Sequence, residues 1–252
     1  MSHVLKEPAI NLYLYDNRVI SSKEMKLFTT LVFQRAKSIP LQYLTNQVGF
    51  WGYPFFVKKG VFIPRPETEI LVEETINLQN KHFSSSYVSI LDIGTGCGNI
   101  CVSLAKSIEK SRIVATDISL KALKIALFNA KSLGVDKKIS FFKRNLFPEQ
   151  KDKFHIIVSN PPYIPDVDIP SLAKEVIKEP LRALKGGLNG MEVVETIIRK
   201  SYEYLVDGGY LILEIGYGQA NLIRDIKTCM RLVTIKQDLA GIERYPIFKK
   251  DI

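Results

Sequence analysis

Apolar runs alternate with amphipathic stretches from residue 88 onward. Six runs rich in Ile, Val, Leu and Phe predict strands at residues 88–93, 112–116, 139–142, 154–159, 210–215 and 232–236. Helical spacing predicts helices between them, near residues 99–109, 119–133, 191–204 and 218–229. Apolar strands that alternate with helices of ten or more residues are typical of a mostly parallel sheet covered on both faces. The pattern therefore predicts a doubly wound α/β fold.

The first quarter of the chain follows a different pattern. Ser21 and Glu24 have the spacing of a capping box, and the apolar positions after them predict one helix over residues 21–38. An aromatic-rich stretch over residues 48–57, broken by glycine and proline, predicts a β-hairpin or two short strands. Two shorter elements are expected before the alternating region: a strand at residues 61–63 and a helix from residue 67 to about residue 79.

Composition is typical of a soluble globular protein. The 252 residues suffice for one large domain with a small appendage, and 46% of them are hydrophobic and 24% charged. No apolar stretch approaches the length of about 18 residues that a membrane-spanning helix requires, and the sequence begins without a secretory or transit signal. The cysteine usage fits a reducing compartment, so we expect a cytoplasmic protein.

The net charge of +9 is unevenly distributed, with an excess near the start of the sequence. The first 60 residues hold eight Lys and Arg against three Asp and Glu. Such a basic region is typical of proteins that bind nucleic acid or a partner in RNA-rich surroundings, but it also occurs as a solvated face. Charge alone therefore leaves the function open.

A loop with three alternate glycines follows the predicted strand at residues 88–93. Glycine lets the backbone turn sharply and approach a ligand closely, and here it occupies positions 94, 96 and 98. The dinucleotide fingerprint needs a glycine where this chain has Asn99, which argues against a pyrophosphate ligand. Asp92, just before the loop, is better suited to a ligand with a positively charged amino group.

A second acid, Asp117, lies where the next parallel strand should end. The carboxyl ends of such strands face the ligand crevice, and a carboxylate there can accept both hydroxyls of a ribose. Together with Asp92, this predicts a nucleoside ligand with a cationic, unphosphorylated tail, a description that S-adenosylmethionine fits. The alternative is that both acids cap helices or strand ends and that the glycines only form a tight turn. No Cys or His spacing indicates zinc or an iron–sulfur cluster, so no metal is expected.

The tetrapeptide Asn160-Pro161-Pro162-Tyr163 follows the predicted strand at residues 154–159. Two prolines make the turn stiff. The side-chain carbonyl of Asn160 and the main-chain carbonyl of Pro161 can accept hydrogen bonds from a planar NH2 group, and Tyr163 offers a ring for stacking. Such a slot would hold the lone pair of a conjugated nitrogen toward a methyl donor and stabilise the developing positive charge, without a strong base. The alternative is a plain Pro-Pro turn, with the tyrosine covering the core.

With these motifs in this order, the chain resembles class I S-adenosylmethionine-dependent methyltransferases of the Asn-Pro-Pro-Tyr type. That group includes DNA adenine-N6 and protein glutamine-N5 methyltransferases. Residues 62–69, Phe-Ile-Pro-Arg-Pro-Glu-Thr-Glu, resemble the signature of the release-factor glutamine methyltransferases, the HemK/PrmC family. Paralogues that act on a ribosomal protein usually read Pro-Arg-Ser-Pro there. Further matches lie at residues 50–52, 179–187, 213–219 and 238–244.

The resemblance implies an activity and a domain division. The activity is transfer of a methyl group from S-adenosylmethionine to the side-chain amide (N5) of the glutamine in the Gly-Gly-Gln loop of class 1 release factors, which leaves S-adenosylhomocysteine. The implied parts are a helical docking segment (1–46), a β-hairpin linker (47–64) and a catalytic domain with a seven-stranded Rossmann-like sheet (65–252). Release factors are the expected partners, with no membrane and no direct nucleic-acid substrate.

The resemblance also implies roles for individual residues. The implied cofactor site consists of Asp92, Gly94, Thr95, Gly96, Cys97, Gly98, Asp117, Ile118, Asn145, Leu146 and Asn160. The implied substrate site consists of Arg65, Pro66, Glu67, Asn160, Pro161, Pro162 and Tyr163. Within these sets, the residues expected to be catalytic are Asn160, Pro161 and Tyr163.

Two departures from the family pattern are visible. Asn145 stands where the family usually has an acid that recognises the adenine amino group, so weaker or altered cofactor binding is expected. The helical region before residue 40 is also shorter than usual. The alternatives are a nucleic-acid adenine-N6 methyltransferase, a glutamine methyltransferase acting on a ribosomal protein, and an inactive module that keeps the cofactor only for stability.

Overall fold

The computed structural model describes residues 1–14, 17–150 and 152–251. Its strands are β1 (Gln47–Phe50), β2 (Tyr53–Phe56), β3 (Val88–Ile93), β4 (Ser111–Asp117), β5 (Ile139–Lys143), β6 (Phe154–Ser159), β7 (Leu205–Leu213), β8 (Arg231–Gln237) and β9 (Glu243–Lys249). Its α-helices are α1 (Ser2–Leu5), α2 (Asn11–Leu14), α3 (Ser22–Ala36), α4 (Leu41–Thr45), α5 (Thr68–His82), α6 (Asn99–Ser107), α7 (Leu120–Ser132), α8 (Glu192–Tyr204) and α9 (Ala220–Asp225). Short 3-10 turns connect several of them.

Seven of these strands form one sheet in the order β5-β4-β3-β6-β7-β9-β8. The first five run parallel, whereas β9 pairs antiparallel with both β7 and β8. The prediction of a mostly parallel doubly wound sheet is confirmed. β9 was missed, because its polar and charged residues and Pro246 hide the short apolar run that it contains.

Helices cover both faces of the sheet because successive side chains of a strand point in opposite directions. In β3, the fully buried Ile90 packs in one core with Leu71 of α5 and Leu104 of α6. Its neighbour Leu91 packs in a second core with Ile197 of α8. The central strands are therefore packed on both faces, and this packing fixes the positions of the carboxyl ends of β3, β4 and β6.

The hairpin of β1 and β2 packs beside this domain. Its turn places Trp51 and Gly52 at φ values of 51° and 73°, the left-handed conformation that two-residue hairpin turns require. Glu69 of α5 accepts a hydrogen bond from the Trp51 N–H at 2.9 Å, which fixes the turn against the helix. The predicted hairpin is confirmed.

The region before the hairpin is helical throughout much of its described length. Ser21 and Glu24 form the predicted capping box at the start of α3. The expectation of a single helix was incomplete, because α1, α2 and α4 are each only four or five residues long and carry little periodicity. The predicted strand at residues 61–63 was wrong: the Ile63 N–H donates to the carboxylate of Glu179 at 2.9 Å rather than to a neighbouring strand.

Candidate active site

A cavity of about 1030 Å³ lies at the carboxyl ends of β3, β4 and β6. Most residues predicted for the site line it: Arg65, Gly94, Thr95, Gly96, Cys97, Asp117, Ile118, Asn145, Leu146, Asn160, Pro161, Pro162 and Tyr163. Four predicted residues lie outside its lining, namely Asp92, Gly98, Pro66 and Glu67. The glycine loop and the Asn-Pro-Pro-Tyr turn, more than sixty residues apart in sequence, thus face one common space.

The glycine loop turns from β3 into α6 through three left-handed positions. Gly94, Gly96 and Gly98 have φ values of 73°, 58° and 85°, a region that disfavours residues with a side chain. A Cβ on Gly98 would lie 3.0 Å from the Cβ of Ala126 in α7, so this glycine also permits close packing of two helices. Gly98 therefore shapes the loop from behind the cavity.

Asp92 lies beneath the glycine loop and is fully buried. Its Oδ2 accepts from the Thr95 hydroxyl at 2.6 Å and from the Cys101 N–H at 3.2 Å. Its Oδ1 is buried without a hydrogen-bond partner in the part of the chain that the structure describes. Burial raises the pKa of this carboxyl to about 6.

Asp117, at the end of β4, is held by two main-chain groups. Its Oδ2 accepts from the Gly96 N–H at 2.9 Å, and its Oδ1 accepts from the Ser119 N–H at 2.7 Å. Burial raises its pKa, although both of these hydrogen bonds act in the opposite direction. Because a carboxylate oxygen has two lone pairs, each oxygen can accept a further hydrogen bond from a ligand in the cavity.

The loop after β5 forms another side of the cavity. Leu146 has a φ of 72°, and its carbonyl accepts from the Thr116 hydroxyl at 2.5 Å, which ties this loop to β4. Asn145 is exposed and lines the cavity beside it. Two arginines that the sequence did not single out, Arg144 and Arg182, also line the cavity, and Arg182 is close enough to Asp117 to lower its pKa.

The side chains of the Asn-Pro-Pro-Tyr turn are anchored behind the cavity by a buried carboxylate. Asn160 Nδ2 donates to the Thr68 hydroxyl at 3.0 Å, and Thr68 donates to Glu214 Oε2 at 2.7 Å. The Tyr163 hydroxyl donates to the other oxygen of the same glutamate at 3.3 Å. Pro161 is buried, and it lines the cavity between these two anchored side chains.

Close main-chain packing supports Tyr163 from behind. Its carbonyl accepts from Gln219 Nε2 at 2.9 Å. A Cβ on Gly190 would lie 2.2 Å from that same carbonyl oxygen, and a Cβ on Gly216 would lie 3.1 Å from the tyrosine ring. Only glycine leaves room for the turn at position 190, whereas a side chain at position 216 would press tightly on the tyrosine ring.

Three residues before α5 were predicted for the site, and of these only Arg65 lines the cavity. Arg65 forms an ion pair with the buried Glu179, and its guanidinium lies 4.8 Å from the centre of the Phe62 ring. Pro66 and Glu67 are exposed at the start of the helix, where the Glu67 carbonyl accepts from the Tyr245 hydroxyl at 2.7 Å. These two residues brace the segment rather than line the cavity.

Thr68 and Glu214 were not predicted as site residues. Both lie in segments that match the family pattern, but the two positions are 146 residues apart. A polar residue at the first position of a helix or after an apolar strand has an ordinary capping or surface interpretation. The fold brings them together beside Asn160, where Thr68 lines the cavity and Glu214 lies behind it.

Neither a metal site nor a membrane span is found in the described ranges. These residues contain no group of three or more His, Cys, Asp or Glu side chains that could hold a metal ion. None of their helices is both long and apolar enough to cross a bilayer.

The fold matches solved methyltransferases. The ribosomal protein L11 methylase from Lactobacillus delbrueckii subsp. bulgaricus matches 78% of this chain over 84% of its own, with a TM-score of 0.56 and 20% sequence identity. At that identity the similarity shows the fold alone. The fold is that of a class I S-adenosylmethionine-dependent methyltransferase, which confirms the predicted fold class.

Sequence comparison narrows this class to a family. The family patterns described as "Methyltransferase small domain" and "PrmC N-terminal domain" match residues 67–189 and 1–45. Release factor glutamine methyltransferase from Buchnera aphidicola subsp. Schizaphis graminum is 39% identical over 87% of this chain and 78% of its own. The protein of the same name from Thermodesulfovibrio yellowstonii is 38% identical over 98% of this chain and 89% of its own. The chain belongs to the release factor glutamine methyltransferase family and is a methyltransferase.

Proposed function

We propose that this enzyme transfers a methyl group from S-adenosylmethionine to N5 of the glutamine side chain in the Gly-Gly-Gln loop of class 1 release factors. The relatives that match nearly the whole chain are named for release factor glutamine methylation. The observation that carries the proposal is the single cavity shared by the glycine loop, Asp117 and the Asn-Pro-Pro-Tyr turn. The proposed cofactor site and the proposed amide slot would therefore open onto each other.

Features of the glycine loop support S-adenosylmethionine as the cofactor. A Cβ on Gly94 would meet nothing within 4 Å, so the cavity extends to the main chain there. Asp92, with one buried oxygen unpartnered in the described residues, places negative charge beneath a loop that would hold the cationic methionine part. Asp117 would accept from the ribose hydroxyls, and Ile118, Asn145 and Leu146 would contact the adenine.

Asn160 and Pro161 would hold the glutamine amide. The Asn160 side-chain oxygen and the Pro161 carbonyl would accept from its two N–H groups, while the Tyr163 ring would pack against its plane. This arrangement turns the nitrogen lone pair toward the methyl donor and favours the positive charge that the nitrogen acquires. The cofactor supplies an electrophilic methyl group: a carbon–nitrogen bond forms, a carbon–sulfur bond breaks, and one amide proton then leaves to solvent.

We assign residues 1–46 to docking of the release factor, residues 47–64 to a linker and residues 65–252 to catalysis. The basic character of the first 60 residues supports this division, since a docking surface for a factor that works beside RNA benefits from positive charge. Arg65 lines the cavity where linker and catalytic domain meet, and it would border the bound loop.

The test is methyl transfer from labelled S-adenosylmethionine to purified substrates. We expect label on a class 1 release factor and none on a release factor whose Gly-Gly-Gln glutamine is changed to alanine. Mass spectrometry of that peptide locates the added methyl group. Label that persists on the alanine variant, or that goes instead to ribosomal protein or DNA, would reject the proposal.

A further inference from the structure

A buried carboxylate lies behind the amide slot, where it contacts Tyr163 directly and Asn160 through the Thr68 hydroxyl. Glu214 directly follows β7, and its N–H donates to the Ser159 carbonyl at 3.0 Å, which fixes it beside the end of β6. One oxygen accepts from Thr68 at 2.7 Å and the other from Tyr163 at 3.3 Å. Glu214 is 2% exposed and lies outside the cavity lining, so it has no direct access to a substrate.

The direction of these hydrogen bonds determines the orientation of Asn160. An ionised carboxylate only accepts, so the single hydroxyl hydrogen of Thr68 points to Glu214. Toward Asn160 the Thr68 oxygen can then only accept, and it accepts from Nδ2 at 3.0 Å. With its NH2 end held behind the slot, the Asn160 carboxamide has its oxygen available to the cavity.

We propose that Glu214, acting through the Thr68 hydroxyl, is a positioning residue that keeps the oxygen of Asn160 directed at the substrate amide. The inference rests on the proposed function, because it concerns the same slot. Without this relay the carboxamide of Asn160 is free to rotate and to present its NH2 group, which repels an NH2 group of the substrate. The Tyr163 contact lets the same carboxylate align the other end of the turn.

Protonation of Glu214 would reverse the relay. A neutral carboxyl can donate to Thr68, whose hydroxyl hydrogen then becomes available to the oxygen of Asn160. The charged and titratable groups that face Glu214 are Arg244, Glu67, Tyr163 and Tyr245.

Burial outweighs the contribution of Arg244 and raises the pKa of Glu214 to about 7. The ionised, productive form therefore dominates above that pH. Turnover should decrease as the pH falls below it.

The substitutions Thr68→Val and Thr68→Ser test this relay. Valine matches threonine in shape and removes the hydroxyl, whereas serine keeps it. We expect Thr68→Val to lower kcat on the release factor by at least about tenfold, the scale of a misdirected contact, with the Kd for S-adenosylmethionine nearly unchanged. Thr68→Ser should restore most of the turnover. Circular dichroism and thermal unfolding establish that each variant is folded.

Thr75→Val is the matched control. Thr75 is fully buried in the same helix, and its hydroxyl only donates to the Leu71 carbonyl within that helix. It should retain wild-type kcat after the same chemical change. An equal loss of kcat in Thr75→Val would show a general packing effect and overturn the inference.

The pH profile gives the second measurement. In the wild type kcat should fall as the pH drops below about 7, while Glu214→Gln, which cannot ionise, should lose that limb. Wild-type kcat in Thr68→Val, or an acid limb unchanged in Glu214→Gln, would refute the positioning role. A wild-type enzyme that leaves release factors unmethylated would instead refute the proposed function, which keeps the two failures distinct.

Discussion

Asp117 combines a main-chain anchor with free acceptor capacity. The N–H groups of Gly96 and Ser119 fix the two carboxylate oxygens, so the side chain reaches a ligand in one orientation. This arrangement links the glycine loop to the end of β4 before any cofactor binds. A pre-arranged acceptor of this kind avoids part of the ordering cost of binding.

Removing this acceptor should weaken cofactor binding. In Asp117→Ala we expect the Kd for S-adenosylmethionine to rise by at least about tenfold, equivalent to about 1.4 kcal/mol, because the ribose loses its acceptor and the Gly96 N–H loses its partner. Isothermal titration calorimetry measures the change. Asp152→Ala, at an exposed position, is the control and should bind as the wild type does. Equal affinity in the two variants would contradict the ribose assignment.

At the scale of elements, Asn129 joins three parts of the site scaffold. From α7 its side chain accepts from the Phe56 N–H at 2.8 Å and donates to the Phe56 carbonyl at 3.0 Å and the Cys97 carbonyl at 2.8 Å. It is buried, with 1% of its surface exposed. The Asn129 side chain therefore links the hairpin and the glycine loop to α7 by hydrogen bonds.

Truncation of Asn129 should destabilise the fold. Asn129→Ala leaves the buried Cys97 carbonyl and the partly buried Phe56 main chain without this partner, so we expect the free energy of unfolding to fall by about 2–3 kcal/mol. Urea unfolding followed by circular dichroism measures this loss. The control is Asn80→Ala, on the exposed side of α5, which should change stability by less than about 0.5 kcal/mol. A similarly small change in Asn129→Ala would show that the hairpin is held by other contacts.

Elements with a regular apolar pattern were predictable from the sequence. The ranges of β3 and β6 match the prediction, since both strands are buried on two faces and read as continuous apolar runs. The helix expected over residues 218–229 is shorter, spanning only Ala220–Asp225. Residues 61–63 carry β-forming side chains, but Pro64 follows and Ile63 bonds to a side chain instead of a ladder. At Ile63 a tertiary partner therefore overrode the local preference for a strand.

Within the site, predictability depended on sequence continuity. The glycine loop and the Asn-Pro-Pro-Tyr turn are contiguous motifs, and each carries its chemistry within a few residues. The pair Thr68 and Glu214 has no local signal, because a relay between an early helix and a late strand exists only in three dimensions. This link between a cavity-lining threonine and the buried glutamate behind it is therefore the part of the site that required the structure.

The whole molecule should respond to pH through its buried acids. A carboxyl whose pKa is higher in the folded than in the unfolded state binds its proton more tightly when folded. Stability from that group is therefore lost as the pH rises from the unfolded to the folded value. For Glu214 this window runs from the ordinary value of 4.5 to about 7, and Asp92 acts in the same direction.

Glu214→Gln isolates this contribution. As the pH rises from about 5 to about 8, the wild type should lose the contribution of the glutamate and the variant should not. We therefore expect the free energy of unfolding of the variant, minus that of the wild type, to increase by on the order of 1–3 kcal/mol over this range. Urea unfolding of both proteins across this range measures the difference. A difference that stays constant with pH would mean that the glutamate titrates alike in the folded and unfolded states.

The position of β9 has a consequence for the order in which the molecule assembles during synthesis. β9 follows β8 along the chain but lies between β7 and β8 in the sheet. Until residues 243–249 emerge from the ribosome, β7 keeps a bare hydrogen-bonding edge and β8 has no strand of the sheet to join. A nascent chain stalled before residue 243 exposes an aggregation-prone strand edge. Chaperones should therefore bind the stalled chain and dissociate once β9 has inserted between β7 and β8.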